Sequence, residues 1–158
     1  MVLSHSDFRP VSISDRELFS QHYGSHPQVH SDNTFANMFC WNDYAHYRYA
    51  FRDGCMVLSS TIDGRTRYRP PIGPHISELL AEVLALAAKS HEEHPLVILD
   101  PDSREWIARL YPDLSFEADR RYFDYVYLAR DLAELPGRRY QTIRHQLNKF
   151  QKTCRPAV

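Results

Sequence analysis

The spacing of apolar residues predicts several helices, and the clearest lies near the C-terminus. There the apolar side chains recur at intervals of three and four, which places them along one seam of a helix: Tyr140, Ile143, Leu147, Phe150 and Cys154. Pro136-Gly137 separates this helix from one helical turn that holds Leu132 and Leu135. A further helix with a wide apolar face is predicted over Ile76–Ser90.

Capping residues predict three shorter helices. Each follows a Ser or Asp that precedes apolar positions: Ser14, then Ser31 or Asp32, and Asp102. Glu17 and Glu105 lie three residues after the first and the last of these caps, the spacing of a capping box. Gly24 and Pro27 should end the first helix, and Pro112 the last.

The middle of the chain alternates in a way that predicts an antiparallel meander. Three extended runs are separated by Asp53-Gly54 and Asp63-Gly64: Tyr47–Arg52, Cys55–Ile62 and Arg65–Pro71. Asp-Gly is typical of two-residue hairpins, because their turns need positive φ. Strand alternation predicts that Arg65, Arg67 and Arg69 share one solvent-facing side.

Three further segments have the composition of extended chain. The all-apolar run Leu96–Leu99 fits a strand buried on both faces. Tyr122–Leu128 is rich in aromatic and β-branched residues, and with Ser115–Arg120 it can form a hairpin across Arg120-Arg121. The predicted fold is therefore α/β, with a mixed, largely antiparallel sheet and helices on both faces.

Length and composition fit one globular domain. The 158 residues can bury a core, and no apolar run reaches the roughly 20 residues that span a membrane. The N-terminus lacks the layout of a signal peptide. The three cysteines are scattered without C-x-x-C spacing, which predicts reduced thiols and a cytoplasmic protein: Cys40, Cys55 and Cys154.

No residue pattern predicts a metal or catalytic centre. His22, His26 and His30 lie four apart, but Gly24 and Pro27 interrupt the helix that would align them on one face, so we expect no metal. We find no nucleophile motif, phosphate loop or Cys/His pair, and the catalytic residues stay unknown.

Charge is distributed very unevenly along the chain. Residues 138–158 carry six Lys/Arg and no Asp/Glu, hence +6, and residues 1–137 carry thirteen Lys/Arg and twenty Asp/Glu, hence −7. One interpretation is a solvated helix face, or a helix seated against its own acidic domain. The other is a polyanion-binding surface whose candidate residues lie off the apolar seam: Arg138, Arg139, Arg144, Lys149 and Lys152.

Several short motifs carry a family resemblance. In the C-terminal half they are Phe123–Tyr127, Asp131-Leu132, Gly137–Arg139 and Arg144–Phe150; in the N-terminal half they are Ser31-Asp32, Phe35, Asn37 and Trp41. Over about residues 8–152 the chain resembles the phosphatidylglycerol lysyltransferase C-terminal domain family. Members of that family have two tandem acetyltransferase-like lobes joined by a helix.

The resemblance implies which part of such a protein this sequence represents. Residues 1–136 correspond to the first acetyltransferase-like lobe, and residues 137–158 to the basic amphipathic helix that leads to a second lobe expected beyond it. The implied activity is aminoacyl transfer from a charged tRNA, with the lobe incomplete as an enzyme by itself. Candidate substrate-binding residues are Asn37, Trp41, Asp124 and Tyr125.

The implied partners are aminoacyl-tRNA or an anionic lipid head group. The seam residues Tyr140, Ile143, Leu147 and Phe150 are expected to contact a second lobe or a second copy of the chain. A non-catalytic binding or self-association module is therefore an alternative function.

Acetyl-coenzyme A is disfavoured as the acyl donor, and we expect no cofactor. Acetyltransferases of this architecture bind its pyrophosphate through backbone N–H groups at the junction between a strand and a helix. Here that junction holds Pro70, Pro71 and Pro74, none of which has an N–H. A coenzyme-A-dependent acetyltransferase is thus the third, least supported function.

Overall fold

The computed structural model describes residues 2–90, 93–94 and 96–154. Contacts between Cα atoms divide the chain into two compact units, the first ending at Tyr122 and the second beginning at Phe123. Each unit is described by itself below. No helix in the described ranges combines the length and the hydropathy needed to cross a membrane.

The first unit contains one antiparallel sheet in chain order. Its strands are β1 (Arg9–Pro10), β2 (Arg48–Arg52), β3 (Cys55–Ile62) and β4 (Arg65–Tyr68). The predicted meander is confirmed, and both Asp-Gly turns have positive φ, at 51° and 77° for Asp53-Gly54 and 50° and 76° for Asp63-Gly64. The predicted α/β class with a largely antiparallel sheet is also confirmed.

Five α-helices are found in the described part of this unit. They are α1 (Arg16–Ser25), α2 (Phe35–Cys40), α3 (Asn42–Ala45), α4 (Ser77–Ala88) and α5 (Pro101–Leu110). Short 3₁₀ segments lie at His5–Asp7, Ile13–Asp15, Ser31–Asn33 and Arg120–Tyr122.

The caps differ from those predicted. Ser12 and Asp15, rather than Ser14 and Glu17, form the capping box ahead of α1. Thr34 caps α2, after the 3₁₀ turn that begins at Ser31. Asp100 rather than Asp102 caps α5, because Pro101 occupies the first helical position and the Asp100 carboxylate accepts a 2.8 Å hydrogen bond from the Ser103 N–H.

Helices cover both faces of the sheet, as strand alternation requires. On one face Val57 and Tyr68 pack with Leu79 and Val83 of α4. On the other, a separate cluster joins the sheet to α1 and α2: Phe19, Met38, Tyr49, Met56 and Leu58. Trp106 and Ile107 of α5 pack on Leu80 of α4. These apolar contacts fix the corner between β4 and α4, where the cleft described below lies.

The predicted strands at 96–99, 115–120 and 122–128 are wrong. Leu96 makes only an isolated parallel bridge to Tyr68, with a 2.9 Å hydrogen bond from the Val97 N–H, and Ile98 at φ 58° departs from extended backbone. Residues 123–128 have no ladder partner within the described chain, and the predicted hairpin turn is the 3₁₀ segment Arg120–Tyr122. A strand needs hydrogen bonds to a neighbour, which local composition does not supply.

The second unit is helical. It contains α6 (Ala129–Glu134), a 3₁₀ turn at Arg138–Tyr140 and α7 (Gln141–Thr153). The predicted long C-terminal helix, the preceding turn and the break at Pro136-Gly137 are confirmed. Leu135 and Gly137 both have positive φ, at 47° and 73°, which turns the chain sharply between α6 and α7.

Candidate functional site

A cleft of about 460 Å³ opens at the corner between β4 and α4 of the first unit. Its lining comes from three places: the segment 25–33 after α1, the corner 69–75, and the first turn of α5. We call it the corner cleft.

The backbone of the corner is hydrogen-bonded into the sheet. The Ile72 N–H donates to the Met56 carbonyl at 2.8 Å, and the Met56 N–H donates to the Ile72 carbonyl at 2.9 Å. The Arg69 N–H is also occupied, 3.0 Å from the Leu58 carbonyl. With three prolines among residues 70–74, only Gly73 keeps an N–H that these bonds do not use. This arrangement supports the reasoning against a coenzyme A pyrophosphate loop.

A buried histidine ties α1 to this corner. His22 Nε2 donates a 2.7 Å hydrogen bond to the Ile72 carbonyl, and the ring lies 4.8 Å from that of His26. Burial lowers the pKa of His22, and the neighbouring His26 lowers it further, while the hydrogen bond to Ile72 opposes this. His22 therefore acts as a neutral structural donor, and His26 lies at the wall of the corner cleft.

Arg69 is the charged group at the centre of the corner. The predicted solvent-facing side is wrong at this residue, because Arg69 is only 2% exposed. The ring of Tyr47 lies 5.2 Å from its guanidinium carbon, and Nη2 reaches the Asp32 carbonyl only at 3.5 Å. Nε and Nη1 are buried and have no hydrogen-bond partner among the described residues.

The opposite wall of the corner cleft is formed by α5 and a stacked histidine. The His75 ring stacks on Trp106 at 4.2 Å between centroids, and His75 Nε2 lies 3.3 Å from an Asp102 carboxylate oxygen. Asp100 and Ser103 are occupied with capping α5. The wall therefore offers the imidazole of His75 to a ligand, whereas the first turn of α5 is already capped by Asp100.

The predicted substrate residues lie in both units. In the first unit Asn37 donates to an Asp32 carboxylate oxygen at 2.9 Å, and Trp41 is an exposed ring in an edge-to-face arrangement with Tyr44. In the second unit, Asp124 and Tyr125 belong to the segment 123–128, which joins no sheet of the described chain. Their roles as substrate contacts stay predictions.

The two central arginines of the basic surface contact their own chain. The Arg139 guanidinium pairs with the Asp131 carboxylate and donates to the Tyr140 hydroxyl at 2.7 Å. Arg144 Nη1 donates to two carbonyls at the turn after α6, those of Leu135 and, at 2.8 Å, Gly137. We call these contacts between α6 and α7 the α6–α7 joint. A hollow of about 510 Å³ beside it is lined by residues 126–128, Asp131 and Arg139.

Three other basic residues are better placed for an external anion. Arg138, Lys149 and Lys152 are exposed. Lys149 and Lys152 lie three residues apart on α7, and therefore on one side of it. The seam follows the other side: Tyr140 is buried, whereas Ile143, Leu147 and Phe150 are 40%, 47% and 55% exposed. Helix α7 thus presents a basic side and an uncovered apolar side.

Comparison with known sequences identifies the family. Residues 24–158 match the profile of the family described as phosphatidylglycerol lysyltransferase, C-terminal. The chain belongs to this family. Asp131, Gly137 and Arg144 of the α6–α7 joint belong to the motifs through which the C-terminal half resembles the lysyltransferase C-terminal family. No curated protein is detectably similar to the chain.

A solved structure supports the fold. A conserved protein of unknown function from Bacteroides thetaiotaomicron superposes with a TM-score of 0.78 at 24% sequence identity. The superposition covers 97% of this chain and 51% of the other, so this member of the lysyltransferase C-terminal family spans about half the length of that protein.

Sequence reasoning missed Arg69 as a candidate site residue. Its place in an alternating strand indicated solvent exposure, and only the packing of residues 31–33 and Tyr47 over it shows burial. The one available signal was an arginine directly before Pro70-Pro71, at a strand-to-helix junction.

Proposed function

We propose that this chain is one acetyltransferase-like lobe of an aminoacyltransferase that takes its aminoacyl group from a charged tRNA. The observation that carries the proposal is the family match over residues 24–158. The ester of an aminoacyl-tRNA is already activated, so the enzyme mainly orients the acceptor and stabilises developing charge. This is compatible with a chain in which no nucleophile or metal pattern is evident.

The exposed basic side of α7 is the proposed contact for tRNA phosphates. Lys149 and Lys152 are exposed there, Arg138 is exposed in the 3₁₀ turn before the helix, and no acidic residue follows Glu134 in the sequence. An anionic lipid head group is the other polyanion that this surface fits. The acidic remainder of the chain, residues 1–137 with a net charge of −7, opposes the binding of a polyanion.

A filter-binding titration with tRNA tests this role. Affinity should fall with salt at a slope near −0.7 to −0.9 per neutralised phosphate, and Lys149→Ala with Lys152→Ala should reduce the slope by roughly one unit per lost contact. Lys89→Ala, an exposed lysine at the end of α4, is the control and should change nothing. Vesicles containing phosphatidylglycerol, titrated in parallel, distinguish the lipid from tRNA. Absence of tRNA retention even at about 20 mM salt would refute the tRNA contact.

The uncovered seam favours a second candidate function, a non-catalytic module that pairs with another copy of the chain. Ile143, Leu147 and Phe150 form a continuous exposed apolar strip on α7, and such strips mark interaction sites. Light scattering should then report a dimer that Leu147→Glu converts to a monomer. Asn148→Glu, an exposed position on the same helix but off the seam, is the control and should leave the dimer intact. A wild-type chain that is monomeric at high concentration would exclude self-association.

A further inference from the structure

Unsatisfied buried polar atoms cluster around Arg69, in and beside the wall of the corner cleft. Among the described residues, four such atoms belong to three neighbouring side chains: the Tyr23 hydroxyl, Asn33 Oδ1, and Nε and Nη1 of Arg69. Asn33 and Arg69 line the corner cleft directly. Buried polar groups in folded proteins are nearly always paired, so a cluster of unpaired ones indicates that something else supplies the partners.

The charge of Arg69 identifies the missing partner. A guanidinium stays protonated in proteins, and taking a cation out of water costs several kcal/mol unless an anion accompanies it. No salt bridge to Arg69 is found among the described residues, and Nη2 reaches a backbone carbonyl only at 3.5 Å. Burial lowers the pKa of Arg69, and the neighbouring Tyr47 and Asp32 offset this only in part. The π face of the Tyr47 ring, 5.2 Å from the guanidinium carbon, offsets part of the cost of burying the Arg69 charge.

Arg69 is the anion-binding group of the cleft. The first turn of α5 lies in the opposite wall, but the Asp100 carboxylate already caps it and Asp102 lies 3.3 Å from His75 Nε2, so this turn adds no free donor for an anion. The cleft volume of about 460 Å³ suits a metabolite-sized molecule. Pro70 and Pro71 form a rigid wall that leaves the side chain of Arg69, rather than the backbone, as the source of donors.

We propose that the corner cleft is a binding site for a small molecule with a carboxylate or phosphate group, and that Arg69 holds this oxyanion. Asn33 and His75 line the same cleft and can contact the remainder of the ligand. The site belongs to the first unit and does not use α7. Its failure would therefore leave the proposed tRNA contact untouched, and failure of tRNA binding would leave this site untouched.

The test compares the wild-type chain with Arg69→Met, which keeps much of the side-chain length and removes the charge. Sodium phosphate and sodium acetate are titrated separately at constant ionic strength, with chloride as the balancing salt, and Tm is followed. We expect a saturable rise in Tm with at least one of the two anions, and the more effective one shows whether the site takes phosphate or carboxylate. Arg69→Met should weaken this response about tenfold or more, and Arg65→Met, at the start of β4, should retain it.

Two further measurements keep the test decisive. Without anion, Arg69→Met should be as stable as the wild type or more stable, since replacing an uncompensated buried charge by an apolar side chain removes its desolvation cost. If Arg69→Met does not fold, the Nε–H resonance of Arg69, assigned by its absence from the Arg69→Lys spectrum, should shift saturably on phosphate or acetate addition. A wild-type chain that responds no more to either anion than to chloride, or a response that survives Arg69→Met, would overturn the proposal.

Discussion

Arg144 allows a sharp distinction between a structural contact and a polyanion contact. Its guanidinium donates to the carbonyls of Leu135 and Gly137, which follow α6 and lack helical partners of their own. Arg144→Ala removes both hydrogen bonds and leaves those carbonyls to water. Hydrogen bonds to a charged group contribute roughly 1.5–3 kcal/mol each when buried, and the partial exposure here reduces the sum to about 1–3 kcal/mol.

Amide hydrogen exchange converts this estimate into a measurement. The Leu135 N–H, bonded to the Asp131 carbonyl at 2.8 Å, reports opening of the α6–α7 joint. A loss of about 1–3 kcal/mol predicts exchange roughly 5- to 150-fold faster in Arg144→Ala, because each 1.4 kcal/mol is a factor of ten. Lys149→Ala, on the same helix and outside the joint, should leave the rate unchanged.

The opposite outcome is equally informative. If Arg144→Ala leaves exchange at Leu135 unchanged and abolishes tRNA retention, the side chain contacts the ligand, and the bonds to Leu135 and Gly137 contribute nothing measurable to local stability. If both properties change together, tRNA binding depends on an intact joint. The salt slope then separates the cases, since an indirect effect lowers affinity without reducing the number of phosphates contacted.

Two further predictions concern the first unit. Gly73→Ala should lower the free energy of unfolding by about 2 kcal/mol, because φ of Gly73 is +146° and a Cβ there would lie 2.8 Å from a backbone oxygen of the β2–β3 turn. Calorimetry should show a lower Tm for this variant. Gly24→Ala, which has open space around the added Cβ, is the control and should not lower Tm. Tyr49→Phe should cost about 1–3 kcal/mol, because the hydroxyl donates a 2.6 Å bond to the buried Asp15 carboxylate. Burial raises the pKa of Asp15, but hydrogen bonds from Tyr49 and Ser12 outweigh it, so the folded pKa is below the ordinary value. The stabilisation by ionised Asp15 is therefore complete above the unfolded pKa of this carboxyl and is lost as pH falls through its folded pKa. In urea unfolding, the difference in free energy of unfolding between the wild type and Tyr49→Phe at pH 7 should therefore shrink in acid. A difference that does not change with pH would contradict the assignment.

Locally encoded elements of the fold were predictable from sequence. The two Asp-Gly turns encode their own backbone conformation, and β2, β3 and β4 therefore lie close to the predicted ranges. Helices α4 and α7 follow from apolar periodicity alone. The capping error at Asp102 arose because Pro101 fits the first helical turn, which moves the cap back to Asp100.

Features that depend on distant residues were not predictable. The aromatic segment 123–128 has strand composition, but pairing requires a neighbour at the right distance, and the described chain supplies none. The burial of Arg69 likewise depends on residues 31–33, far away in sequence. The basic surface on α7 was thus predictable, because its residues are close together in sequence. The corner cleft between β4 and α4 was missed, because packing of distant segments assembles it.

The family motif in the second unit has a structural explanation that limits what it implies about activity. Asp131, Arg139 and Arg144 hydrogen-bond within the α6–α7 joint, so a joint of this geometry would require them whether or not tRNA binds. Substituting them would therefore disturb the joint whether or not the chain contacts tRNA. Lys149 and Lys152 lie outside the joint and are exposed, so the salt dependence of variants at these two lysines tests the function rather than the fold.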